Sequence, residues 1–124
     1  MLLTAVETVK IYQTHGEPQT LNPGDIIFKE GDTGNIMYGV IEGEVLMQLN
    51  GKEIEIIHAG DVFGVGALVH PDQLRTSTAI AKTPCTLGFL DRSHFLFAVQ
   101  QTPLFALEVM RSYSDRFRRL KAEL

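Results

Sequence analysis

Cysteine is almost missing: Cys85 is the only one in 124 residues, which excludes an internal disulfide and any multi-cysteine zinc site. Inside the strand-like run Cys85–Leu90 a lone thiol reads as a small core residue. Histidine is sparse and scattered. His15, His58, His70 and His94 form no H-x-H, H-E-x-x-H or other metal-ligand spacing. No G-x-S-x-G and no paired Cys/His occurs either, so the sequence argues against an enzyme. The tripeptide Asp32-Thr33-Gly34 matches an aspartic-protease signature only by its three letters. No apolar run is long enough to span a bilayer, and Met1-Leu2-Leu3 lacks the architecture of a signal peptide. The expectation is a cytoplasmic chain with no membrane attachment. Excess positive charge is lacking too. A formal net charge of −4 argues against a nucleic-acid surface spread over the domain, but leaves room for a local anion site.

What is present suffices for one domain with a core of its own. Hydrophobic residues make up 44% and charged residues 21% of the chain, which is ordinary for a globular protein. Thr4 to Tyr12 is ambiguous between a helix and a strand, and Val9-Lys10-Ile11-Tyr12 favours a strand by alternation. His15 and Gly16 mark a loop. Pro18 to Leu21 reads as an edge strand closed by the turn Asn22-Pro23-Gly24-Asp25. Ile26-Ile27-Phe28 reads as a buried strand, Glu30 to Gly34 as a turn, and Ile36–Ile41 and Glu44–Leu49 as strands around Glu42-Gly43. Asn50-Gly51 is a strong hairpin signal, because a type I′ turn needs positive φ at both central residues. It leads into Glu53–His58, where Ile54, Ile56 and His58 alternate with Glu53, Glu55 and Ile57. Short strands at this spacing predict a sandwich or barrel rather than βαβ units.

The stretch from Gly60 to Ala81 organises the rest. Gly64 and Gly66 let the backbone approach a ligand, and amides at a helix start there would present donors. Arg75 can lay a fork of donors on a phosphate, with the Thr76 hydroxyl beside it. The chain leaves along an alternating strand, with Thr76, Thr78 and Ile80 on one face and Ser77, Ala79 and Ala81 on the other. The physical reading is a cradle for one small anion.

After Leu90 the period becomes helical. Asp91 is an N-cap, with Leu90 and Phe95 at the two positions of a hydrophobic staple, and the helix runs to about Gln100. Thr102-Pro103 supplies a second cap, with proline at the first helical position. Ala106, Met110, Tyr113, Phe117, Leu120 and Leu124 then recur at alternating four- and three-residue steps, a coiled-coil-like seam. From pattern alone, packing on the chain's own barrel and dimerisation carry equal weight. The cluster Arg116, Arg118, Arg119 and Lys121 complements the helix macrodipole, and Asp115 with Arg119 forms an i,i+4 pair.

F-G-x-x-A-L from Phe63 to Leu68, then R-T-x-T-A from Arg75, resembles the phosphate-binding cassette of the cyclic-nucleotide-binding domain family. The resemblance extends through Leu21–Asp32, Met37-Tyr38 and Gly43-Glu44-Val45. It implies an eight-stranded β jelly roll over residues 1–91, with the cassette at 60–81, followed over 92–124 by a short helix and a long one. It also implies a regulatory module that binds cAMP or cGMP and needs no cofactor. Residues Phe63, Gly64, Val65, Gly66, Ala67, Leu68, Arg75, Thr76 and Ser77 would form the site. Arg75 would hold the phosphate with amides near Gly66, Ala67 and Leu68. Thr76 would bond a phosphate oxygen or a guanine amine. The long helix would carry a homodimer through Met110, Tyr113, Phe117 and Leu120, and ligand binding would reposition both C-terminal helices.

One departure stands out: Val65 occupies the place of the family's ribose-binding Glu. Valine cannot accept from the 2′-hydroxyl, and an unpaired buried hydroxyl costs on the order of 1–3 kcal/mol. This supports a weakened sensor of cyclic nucleotides or other phosphate-like anions. The alternative is a degenerate family member that serves as a dimeric interaction scaffold. A further alternative is the sensor half of a Crp/Fnr-type transcription regulator. No helix-turn-helix lies within the sequence to Leu124, so the chain alone is expected not to bind DNA.

Overall fold

The computed structural model describes residues 3–13 and 16–124; His15 lies outside them. Among the described residues, eight strands form two four-stranded antiparallel sheets. One has the order β1 (Gln19–Leu21), β8 (Cys85–Asp91), β3 (Ile36–Glu42), β6 (Val62–Phe63). The other has the order β2 (Ile26–Phe28), β7 (Thr78–Ala81), β4 (Val45–Leu49), β5 (Lys52–Ile57). Four helices flank them: α1 (Ala5–Tyr12), α2 (Gly66–Val69), α3 (Arg92–Gln101) and α4 (Leu104–Ala122). This is the jelly roll with flanking helices that the strand spacing and the cassette resemblance imply. None of the described helices is long and apolar enough to cross a membrane.

Two clusters make the core, and the first sheet separates them. Tyr38, Val40, Phe63 and Leu87 point between the sheets, where they meet Val45, Met47, Ile57, Ala79, Ala81 and Cys85. Met37, Val62 and Leu90 point the other way, toward Val6 and Val9 of α1, Leu68 of α2, and Phe105 and Val109 of α4. Because both faces are covered, β3 is buried continuously from Met37 to Val40 rather than at alternate positions. Cys85 is a buried core residue with Sγ 3.1 Å from the Glu44 carbonyl.

The N-terminal segment corrects the expectation of a strand. Ala5–Tyr12 is helical and starts on a capping box. Thr4 Oγ1 accepts from the Glu7 amide at 3.1 Å, and Glu7 Oε1 accepts from the Thr4 amide at 3.1 Å. The signal was T-x-x-E, which outweighs the alternation in Val9–Tyr12. The helix lies close to the sheet because Gly39 and Gly88 pair across β3 and β8 beneath it. A Cβ on Gly39 would stand 3.3 Å from Val6, and one on Gly88 3.1 Å from Val9.

Other boundaries shift for stated reasons. β2 is an end strand of its sheet, so Ile26 is 50% exposed rather than buried. β5 turns Ile57 into the core while Ile54 is exposed, following a register irregularity between Met47 and Gln48 of its partner strand. Asn50 and Gly51 adopt φ of 52° and 76°, as the hairpin requires. Asp91 caps α3 by accepting from the His94 amide at 2.8 Å, and Leu90 and Phe95 share one cluster. Thr102 does not cap α4. Its hydroxyl pairs with the Tyr12 hydroxyl at 3.3 Å, and Pro103 sits at the N-cap position instead.

Helix α4 is fastened by polar contacts to the open edge of β6. Ser112 Oγ accepts from the Val62 amide at 3.0 Å, and Arg116 Nη1 donates to the Val62 carbonyl at 2.9 Å. Backbone groups that a missing fifth strand would have paired are satisfied by the helix. Arg116 also makes a bidentate pair with Glu55, at 2.7 and 2.9 Å, and Arg119 donates to Asp61. These arginines bind carboxylates of the barrel, so the macrodipole reading holds only in part, through Arg119 and Lys121 in the last turn. Arg119 turns to Asp61 rather than to Asp115.

Two stability effects follow from these contacts. Thr4→Ala removes the capping box and should destabilise the protein by about 1 kcal/mol in urea unfolding. Arg116→Ala strands the nearly buried Glu55 carboxylate, and a loss of roughly 3 kcal/mol is expected in the same assay.

Candidate anion-binding site

Arg75 is placed by backbone pairing between two turns. Its amide donates to the Asp32 carbonyl at 2.7 Å, and its carbonyl accepts from the Gly31 amide at 2.8 Å. The Gly34 amide donates to the Gln73 carbonyl at 3.0 Å, and Asp72 Oδ1 accepts from the Leu74 amide at 3.0 Å. The Glu30–Gly34 turn is therefore a frame for the arginine.

The Arg75 side chain runs inward, and the residue is only 6% exposed. Nη1 donates to the Gly64 carbonyl at 2.9 Å and Nη2 to the Ile36 carbonyl at 2.6 Å. The guanidinium lies over the Phe28 ring, 4.1 Å from its centroid. Nε is buried with no partner. Two glycines make room for this head group. A Cβ on Gly34 would stand 2.8 Å from Nη2, and one on Gly64 3.0 Å from Nη1. Gly64 also needs its φ of 78° to turn the chain from β6 into α2. Burial pushes the Arg75 pKa below its ordinary value, and the group remains a cation. Burial pushes the Tyr38 phenol up, with Arg75 opposing.

A cavity of about 180 Å³ opens beside this guanidinium. Of the residues singled out in the sequence, Gly64, Gly66, Ala67, Arg75, Thr76 and Ser77 line it. Three do not. Phe63 is fully buried between the sheets, its ring stacked on Tyr38 at 5.2 Å. Val65 packs half-buried against the helix-side cluster, and Leu68 is buried in it. The Leu68 amide is also committed, donating to the Val65 carbonyl at 2.8 Å. The first-turn amides of Gly66 and Ala67 have no acceptor within so short a helix.

The remaining walls were not read from sequence as site residues. Phe28, Met47 and Leu74 supply apolar surface, while Tyr113 and Arg116 reach in from α4. Tyr113 belongs to the heptad-like seam, yet its hydroxyl faces the cassette and accepts from the Val65 amide at 3.1 Å. The Arg116 guanidinium lies 4.4 Å over the Tyr113 ring. Burial by itself would lower the Arg116 pKa, but hydrogen bonding to Glu55 and the neighbouring phenol leave it raised. Among the described residues, no carboxylate lines the cavity and no His/Cys/Asp/Glu cluster could hold a metal ion. The site offers a buried cation without a counter-ion, hydroxyls on two sides and an apolar wall. That chemistry suits a small ligand with an anionic end.

The family model described as the cyclic nucleotide-binding domain matches residues 18–102. A cGMP-dependent protein kinase of Eimeria tenella is 34% identical over 104 residues, which is 71% of this chain and 10% of the kinase. A cAMP-dependent protein kinase regulatory subunit of Schizosaccharomyces pombe is 37% identical over 73 residues, covering 58% of this chain and 18% of that protein. The chain thus spans a small part of the curated relatives it matches. Among solved structures, the Thermus thermophilus catabolite activator protein superposes with a TM-score of 0.75 at 24% identity, over 96% of this chain and 56% of that one. A cAMP-bound structure titled PfPKA-R (141-441) gives 0.68 at 26% identity, over 86% and 36%. The chain belongs to the cyclic nucleotide-binding domain family.

Proposed function

We propose that this chain is a regulatory sensor module that takes up cAMP or cGMP in the cavity beside Arg75. The observation that carries the reading is the buried Arg75 guanidinium, which has no carboxylate partner and lines a cavity together with the Gly64–Gly66 turn. A cyclic phosphate supplies the missing negative charge, with the Gly66 and Ala67 amides and the Thr76 hydroxyl as further donors. Relatives named for cGMP and relatives named for cAMP both match the chain, so both nucleotides are candidates. Val65 turns into the core and offers no acceptor to the ribose, which supports weaker binding than a carboxylate would give.

The signal leaves through α4. Tyr113 and Arg116 belong both to the cavity wall and to the fastening of α4 on β6 and Glu55, so a ligand that presses on them biases the helix position. The outer face of α4 also supports a homodimer. Met110 and Phe117 are 59% and 61% exposed, and Leu107 is exposed beside them. The second reading, an interaction scaffold that binds no nucleotide, is favoured by Val65 alone.

Calorimetry with cAMP and cGMP tests the sensor. Arg75→Lys replaces a bidentate fork with a point charge and should weaken binding roughly ten- to a hundredfold. Undiminished affinity in that variant would move the phosphate away from Arg75, and absence of binding by the unmodified chain would leave the scaffold. For assembly, Phe117→Asp should convert a dimer into a monomer in sedimentation velocity. A monomeric unmodified chain at micromolar concentration would refute the dimer.

A further inference from the structure

The cavity contains a second polar end, built from a different element. Thr76 and Ser77 follow Arg75 directly and belong to its side of the cavity. The third hydroxyl, that of Tyr113, comes from α4 and stands next to position 65, accepting from the Val65 amide at 3.1 Å. Position 65 is where the family resemblance puts the ribose contact, and here it has only an apolar side chain turned into the core.

We infer that the Tyr113 hydroxyl takes over recognition of the ribose 2′-hydroxyl that Val65 cannot make. The inference rests on reading the cavity as a cyclic-nucleotide site. A phenol has one O–H and two lone pairs. One lone pair is taken by the Val65 amide. The phenol proton has no acceptor among the described residues, and it is left to donate to a ligand oxygen in the cavity. The direction of the bond is thus the reverse of that at a carboxylate, which accepts from the ribose rather than donating to it. The ring is held for this role. Arg116 lies 4.4 Å above it and is itself clamped by both carboxylate oxygens of Glu55. Because Tyr113 belongs to α4, the ribose contact would also be the contact through which the nucleotide touches that helix.

The experiment compares cAMP and cGMP with their 2′-deoxy analogues by calorimetry, on the unmodified chain and on Tyr113→Phe. A neutral hydrogen bond predicts that the unmodified chain binds the ribose form about two- to tenfold more tightly than the deoxy form. In Tyr113→Phe the ratio should fall to about one. Loss of the Val65 amide's partner weakens both ligands together, so the ratio isolates the ribose contact from any general loosening. A ribose preference that survives in Tyr113→Phe overturns the inference, as does its absence from the unmodified chain while nucleotide binding is intact. No binding of any cyclic nucleotide by the unmodified chain overturns the reading of the cavity itself, and the inference with it.

Discussion

A guanidinium buried without a carboxylate is the constraint around which this domain is arranged. Removing the Arg75 cation from water is costly, and the protein offsets it with two carbonyl acceptors and an aromatic face. Charge-assisted hydrogen bonds contribute about 1.5–3 kcal/mol each, and a desolvated cation–π contact about 2 kcal/mol. Each partner imposes a condition elsewhere. The Ile36 carbonyl is available because β3 begins there, and the Gly64 carbonyl because a left-handed glycine ends β6. Phe28 lies below the charge as part of an aromatic group with Tyr38 and Phe63. Gly34 is needed because the head group occupies the space a side chain would fill. Among the described residues no carboxylate pairs with this guanidinium, and Nε is unpaired beside the cavity.

The helical layer is attached to the same region by a second arginine that is treated in the opposite way. Arg116 is buried with a full carboxylate partner, so its charge serves attachment rather than ligand capture. Through Arg116, Ser112 and Tyr113, the helix binds backbone groups between Val62 and Val65, the segment that enters the cassette. A change in the cassette backbone and a change in α4 are therefore linked by hydrogen bonds rather than by proximity alone. Beneath this, the Gly39–Gly88 pair admits α1 to the sheet, and Met37 and Leu90 bring the helices into one core with the barrel.

The mainly-β class, the Asn50-Gly51 hairpin and the Asp91 cap were legible in the sequence. Each depends on neighbours close in the chain or on a motif with fixed spacing. Legibility ended where two patterns competed or where a partner was distant in sequence. Val9–Tyr12 alternates like a strand, yet the Thr4–Glu7 capping box makes the segment helical. Phe28, Met47 and Tyr113 carry no local mark of a cavity wall, and Tyr113 falls into a heptad-like seam whose members face different ways.

By itself, then, the sequence determined the strand–turn periodicity, the glycine positions and the pairing of a cassette with one arginine, because propensity, turn chemistry and spacing act over a few residues. Only the tertiary structure decided which charges are neutralised. Arg75 and Arg116 are the same residue type, and although their motifs differ, nothing beside either in the chain says whether a carboxylate will meet it. Arg116 meets Glu55 across 61 positions, while Arg75 meets carbonyls 11 and 39 positions away and no carboxylate. Long-range packing brings Glu55 to one guanidinium and leaves the other facing an open cavity, and this difference separates the structural arginine from the one available to a ligand.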